Sequence, residues 1–143
     1  MTLTEFLLAR IAEDEAAAEA ATAGPWWYDP TKVNSVDRGE AVFAGKRGIR
    51  ATTIASTGPA DDLASMADAA HIARHDPARV LAECEAKRRI VERHSGTNWG
   101  AAPGDPYPMM CDECQDALWP CPTLRLLSLP YADHPDYDEE WRP

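Results

Sequence analysis

The chain has 143 residues, with 24 acids against 14 bases, a net charge of −10 and four cysteines. That length allows one modest domain, or a small domain with appendages. The acidity argues against general nucleic-acid binding, which needs basic surface to displace counterions, and no stretch approaches the length of a membrane span.

Residues 2–23 read as a helix. Thr2 followed by Glu5 fits a capping box, and Leu3, Phe6, Leu7 and Ile11 share one face at helical spacing. An alanine-rich run follows and Gly24-Pro25 ends it. Residues 26–56 predict a small antiparallel sheet. The runs 41–44 and 49–55 are β-prone, and Gly45-Lys46-Arg47-Gly48 joins them as a hairpin turn. A two-stranded ribbon is marginal alone, so it should pack on a helix or gain a third strand near Trp27. Residues 61–75 predict a second helix with Leu63, Met66, Ala67 and Ala70 inward. Asp76-Pro77 restarts the chain as a third helix, Asp76 as N-cap and Pro77 at the first helical position. That helix runs to about His94, with Val80, Leu81, Cys84, Ile90 and Val91 on its apolar side. Residues 95–110 are a loop, long enough to need both ends pinned. A short helix follows near 122–129, then an acidic tail with Tyr131, Tyr137 and Trp141.

Charge is unevenly placed. Residues 1–30 hold six acids and one base, 31–58 five bases (Lys32, Arg38, Lys46, Arg47, Arg50) and two acids, and 99–143 nine acids and two bases. Charge complementarity within the chain accounts for this as well as a docking patch does. The start of the chain has neither a positively charged segment nor a long apolar run of the kind that marks a secretory leader, so the expectation is a cytoplasmic protein. Clustered cysteines in that reducing compartment point to metal or redox chemistry before disulfides.

Cys111-Asp112-Glu113-Cys114 is a CxxC, and Cys121 follows after six residues. A CxxC knuckle holds two thiolates at tetrahedral spacing on one zinc ion, and a third cysteine after a short loop closes most of the shell. The fourth ligand expected is His94, at the end of the third helix, which would give His-x16-Cys-x2-Cys-x6-Cys. His134 and Cys84 compete for the place. Cys84 falls on an apolar face, where free cysteine usually packs as core. The competing readings are a redox dithiol, which lacks a preceding thioredoxin-like strand, and ordinary free cysteines. Catalytic zinc is disfavoured because three thiolates and a histidine leave no open position. Such a site would also offset a core that is rich in alanine and poor in large side chains.

His71 and His75 lie four residues apart on the second helix, a chelating spacing. A zincin would need glutamate at 72, where isoleucine stands, so packing near the helix junction is the simpler role. The acids of residues 133–140 read as a solvated terminal run. No Walker motif, dinucleotide glycine fingerprint or nucleophile elbow occurs. Tyr131, Tyr137 and Trp141 are the candidate partner-binding residues, since aromatics dominate interface hot spots; folding back on the protein's own helices is their competing role.

Four strings complete the picture: His71-Ile72-Ala73-Arg74-His75-Asp76-Pro77-Ala78-Arg79-Val80-Leu81, Glu85-Ala86-Lys87-Arg88-Arg89, Trp119-Pro120-Cys121-Pro122-Thr123-Leu124-Arg125-Leu126-Leu127, and Tyr131-Ala132-Asp133-His134-Pro135-Asp136-Tyr137. Together they resemble an uncharacterised family of actinobacteria and their phages, one that carries only a domain-of-unknown-function label. The resemblance covers most of the chain and implies a small soluble protein, phage- or prophage-encoded, with no activity attached.

The fold expected is α+β: a long N-terminal helix, a small antiparallel sheet and two consecutive helices in residues 1–94, then a zinc-stapled lobe with the tail in 95–143, the two forming one compact unit. The function expected is a non-enzymatic, zinc-stabilised interaction module that binds a host or phage protein. The alternatives are an acidic inhibitor or DNA mimic acting on a nucleic-acid enzyme, supported by the −10 charge, and a small metalloenzyme using His71, His75 and nearby acids.

Overall fold

Thr2 and Glu5 cap each other at the start of the first helix. The Thr2 N–H donates to the Glu5 carboxylate at 2.7 Å, and the Glu5 N–H donates to the Thr2 hydroxyl at 3.2 Å, the reciprocal pairing that their spacing predicts. The structure, a computed structural model, describes residues 1–48, 50–97, 109–114 and 117–143. Helix α1 covers Leu3–Ala20. It stops short of Gly24-Pro25, because the last turn expected, Ala21-Thr22-Ala23, has no large apolar side chain to bury. After it come β1 (Trp26–Trp27), β2 (Glu40–Ala44), β3 (Thr52–Gly58), α2 (Leu63–Arg74), α3 (Pro77–Arg93), β4 (Gly96–Thr97), β5 (Met110–Cys111) and α4 (Pro122–Ser128), then 3₁₀ turns at Leu129–Tyr131 and Glu139–Trp141. The architecture is α+β, as expected. Among the described residues no helix is long and apolar enough to cross a membrane.

The chain groups into two compact units. One is Asp14–Glu83; the other joins Met1–Glu13 to Cys84–Pro143. The residues expected to form a C-terminal lobe, 95–143, therefore group with the start of α1 and the second half of α3.

In the 14–83 unit, β2 lies between β1 and β3 in an antiparallel sheet. Trp27, Phe43 and Thr53 form one row across it. The third strand is thus supplied by Trp26–Trp27, where the sequence placed it. The strand expected from Ile49 begins only at Thr52, and Ile49 itself lies outside the described residues. All five residues of β2 are buried. Helix α2 packs on β2 and β3 through a face shifted from the one predicted, with Met66 and Ala70 half-buried as expected. Ser65 and Ala69 are buried, whereas Leu63 is 81% exposed and Ala67 is exposed. Polar bonding at the start of the helix sets this rotation. The Ser65 N–H and hydroxyl both donate to the N-cap carboxylate of Asp62, at 2.9 and 2.7 Å, and the Thr57 hydroxyl of β3 donates to the Ser65 carbonyl at 2.7 Å. Gly58 allows the close approach: its φ is +139°, and a Cβ there would collide with the Ser65 hydroxyl.

Glu40 is a buried carboxyl group of this unit, 1% exposed. It accepts from the Tyr28 phenol at 2.9 Å and from the Asp61 N–H at 3.0 Å, which ties the ends of two loops to the central strand. Burial first, and then the Glu40 bond, push the Tyr28 phenol up to about 12. The bond's stabilisation is therefore complete below pH 10 and disappears as the pH rises towards 12.

In the other unit, Leu3, Phe6, Leu7 and Ile11 are each at most 1% exposed. Phe6 is ringed by the tail. Its centroid lies 6.3 Å from Tyr131, 5.7 Å from His134, 5.9 Å from Tyr137 and 5.0 Å from Trp141. Arg10 lies over the Phe6 ring at 5.2 Å, binds Glu13 at 2.6 Å and meets His134 Nδ1 at 3.2 Å. Cys84 and Val91 of α3 and Leu124 of α4 complete the buried apolar set.

Two outcomes follow from this packing. Glu40→Ala leaves the Tyr28 hydroxyl and the Asp61 N–H without their acceptor and lowers stability by about 2–3 kcal/mol in urea unfolding, with the loss shrinking above pH 10. Phe6→Ala removes the centre of the aromatic cluster and costs about 3–5 kcal/mol by the same measurement.

Candidate metal centre

Backbone pairing, more than side-chain packing, brings the cysteines together. The His94 N–H makes the last helical bond of α3, to the Ile90 carbonyl at 3.0 Å. The chain then enters β4, which pairs with β5 as Gly96↔Cys111 and Thr97↔Met110. A side bond reinforces that ladder, the Asp112 N–H donating to the Ser95 carbonyl at 3.0 Å. The chain next turns back on itself: Cys111 N–H donates to the Ala117 carbonyl at 3.0 Å and Trp119 N–H to the Met109 carbonyl at 2.9 Å. Trp119 lies against Gly96, where a Cβ would come within 2.6 Å of the indole. This return delivers Cys121 to the N-cap of α4, and the Arg125 guanidinium holds the preceding Pro120 carbonyl at 3.1 Å.

His94, Cys111, Cys114 and Cys121 converge as a result. Their ligating atoms lie within 4.8 Å of one another. The His94 Nδ1 is 3.4 Å from Cys111 Sγ, 3.6 Å from Cys114 Sγ and 3.5 Å from Cys121 Sγ. In a tetrahedral zinc site with Zn–S of about 2.3 Å and Zn–N of about 2.0–2.1 Å, the S···N edge is about 3.6 Å. The three distances match that edge. Cys111 and Cys121 are fully buried, His94 and Cys114 half-buried, and all the cysteines are free thiols. The Cys114 N–H points to Cys111 Sγ at 3.5 Å.

Electrostatics separates the three sulfurs. Hydrogen bonding to Cys111 and then burial push Cys114 up to about 11. Burial also opposes ionisation of Cys121, but the amides of Leu124 and Thr123 and the neighbouring thiols outweigh it and bring its value down. Three sulfurs this close cannot all be anionic unless a cation sits among them. The donor set of three thiolates and one neutral imidazole suits a borderline-soft divalent ion.

His94 is therefore the histidine placed at the sulfurs. Its two competitors lie elsewhere. Through Nδ1, His134 accepts from Arg10 and from the Asp136 N–H at 3.1 Å, and Cys84 is buried on the apolar side of α3. On α2 the His71 and His75 rings stand 4.6 Å apart, and His75 Nδ1 donates to the His71 carbonyl at 2.9 Å. Among the described residues no acid completes a ligand set with them. Tyr131, Tyr137 and Trp141 turn ring faces or edges towards Phe6. The β4–β5 ladder escaped sequence reading, since a two-residue strand is too short to show alternation. Most of the loop it closes, residues 98–108, lies outside the described residues.

Compared with known proteins, the chain matches over residues 1–143 the model described as Family of unknown function (DUF6221). No curated protein and no solved structure matches it.

Metal uptake at this centre should release protons, because Cys114 is protonated at neutral pH and must ionise to bind. Adding zinc to reduced, metal-free protein in weak buffer at pH 7 acidifies the solution, and the apparent affinity falls as the pH is lowered. Binding without proton release would contradict the thiolate assignment.

Proposed function

Because the chain belongs to that family of unknown function, we propose its role from the site itself: a non-enzymatic module in which one structural zinc, held by His94, Cys111, Cys114 and Cys121, shapes a protein-binding surface. The observation that carries the reading is the set of three S···N distances, 3.4–3.6 Å, which equal the edge of a zinc tetrahedron. Four protein donors fill the coordination shell and leave no place for a substrate or an activated water, which supports a structural role over a catalytic one.

Support for a protein partner comes from the residues the site organises. Leu118 is 62% exposed, Leu126 57% and Leu129 41%; Leu126 and Leu129 are three apart, on one side of α4 and the turn after it. Large exposed apolar side chains of this kind mark contact surfaces. A host or phage protein as the partner rests on the family strings in the sequence. The aromatic tail contributes through whatever ring surface Phe6 leaves open.

Elemental analysis of protein purified without added metal tests the reading, with about one zinc per chain as the expected content. His94→Ala, Cys111→Ser, Cys114→Ser and Cys121→Ser each lose the metal, and chelation removes hydrogen-exchange protection around residues 94–97 and 109–121. A paired Leu126→Glu, Leu129→Glu variant keeps its zinc and loses partner capture. Full zinc retention by the cysteine variants, or turnover of a substrate by the zinc-loaded protein, would refute the proposal.

A further inference from the structure

The 14–83 unit holds a second feature unrelated to the metal centre. Trp27 and Phe43 stack with centroids 4.9 Å apart and an interplanar angle of 30°. The Lys32 ammonium lies over both rings, 5.0 Å from Trp27 and 4.9 Å from Phe43, and donates to the Gly48 carbonyl at 2.6 Å. Two aromatic faces and one carbonyl thus fix a cation in place and leave part of its donor capacity free. The Arg47 guanidinium stands 5.2 Å from the Trp27 ring. Beside Lys32 opens a cavity of about 320 Å³, lined by Lys32, Val33, Ser35, Phe43, Ala51 and Thr53 together with Gly48.

The chemistry of that lining is one-sided. Among the described residues it has a cation, two hydroxyls and three apolar walls, and no carboxylate, in a chain with 24 acids. Ser35 and Thr53 are both exposed, so their hydroxyls are open to a ligand from solvent. The nearby acid, Asp29, lies 3.8 Å from Arg47 and is engaged by the Thr31 N–H and hydroxyl at 2.9 and 2.7 Å. We propose that this cavity binds a small organic anion, an apolar body carrying one carboxylate or phosphate, with the anionic group at Lys32. The hydroxyls and the ammonium are all donors that a carboxylate or phosphate oxygen can accept from. Val33, Phe43 and Ala51 receive the apolar body, and the space suits a molecule built on a single ring.

The test is an amide NMR titration of the zinc-loaded full chain with three probes: benzoate, phenyl phosphate and the uncharged benzyl alcohol. Either anion should shift amides of residues 32–35, 43–48 and 51–53 and saturate in the millimolar range, about 1–10 mM. The tighter of the two then identifies the anionic group. Benzyl alcohol should leave those amides in place. Lys32→Gln should weaken anion binding about tenfold, and Lys32→Arg should retain it. The comparison of charged and uncharged probes on the unaltered protein decides the matter even if Lys32→Gln fails to fold. An equal response to benzyl alcohol, no response to either anion, or undiminished binding by a folded Lys32→Gln variant would overturn the proposal.

Discussion

Three sulfur atoms and an imidazole nitrogen packed within 4.8 Å impose the governing constraint on half of this protein. Such a cluster is a poor core. Thiols bury little area, and thiolates repel each other in a low dielectric. Placing a divalent cation at the centre turns repulsion into attraction and makes the cluster the strongest cross-link in its surroundings. The elements around it are correspondingly slight: β4 and β5 have two residues each and α4 has seven. None of these would persist in water unaided. A bound divalent ion would hold the end of α3, the knuckle at β5 and the start of α4 at one point, where Leu118, Leu126 and Leu129 are left exposed and do not pack them together.

The 14–83 unit solves the same shortage differently. Its sheet and α2 meet at Gly58 and Ser65, where the missing side chain of Gly58 leaves room for the Ser65 hydroxyl. Polar anchors then set their register. Asp62 caps α2 locally, while Glu40 and Asn34 bridge separate segments: Asn34 donates to the Ser56 hydroxyl at 2.8 Å and accepts from the Val36 N–H at 3.0 Å. With so little apolar area available, directional bonds in a dry interior define the arrangement. Both units are therefore organised around buried polar groups, a set of metal donors in one and a paired carboxylate in the other.

Much of this was legible in the chain because the signals were local. The Thr2–Glu5 cap, the Asp76-Pro77 restart and the apolar stripe of α1 each depend on residues within a turn or two, and each was found where spacing placed it. The Arg79 N–H does bond Asp76, at 2.9 Å. The CxxC and its third cysteine were legible for a chemical reason: reduced thiols at that spacing have few other uses. Half of the inward face of α2, Met66 and Ala70, follows from spacing; Leu63 does not, because capping by Asp62 and the Thr57 bond turn Ser65 inward instead. The grouping of the first thirteen residues with the last sixty was not visible either. Nothing in a single sequence states that Phe6 will meet Tyr137 and Trp141, since pairings this distant leave no periodic trace. The cation over the Trp27–Phe43 pair depends on a loop returning across a sheet, which composition recorded only as a basic middle segment.

The interleaving of the two units bears on how the protein is made. Residues 14–83 are contiguous, so everything their sheet and helices need has left the ribosome once Glu83 is clear of the exit tunnel. The other unit joins residues 1–13, made before that block, to residues 84–143, made after it. Until Tyr131–Trp141 emerge, Leu3, Phe6, Leu7 and Ile11 stand on a newborn helix with no lid, an amphipathic stripe open to chaperones and to neighbouring nascent chains. Translation rate and chaperone occupancy thus act on one half of this molecule far more than on the other.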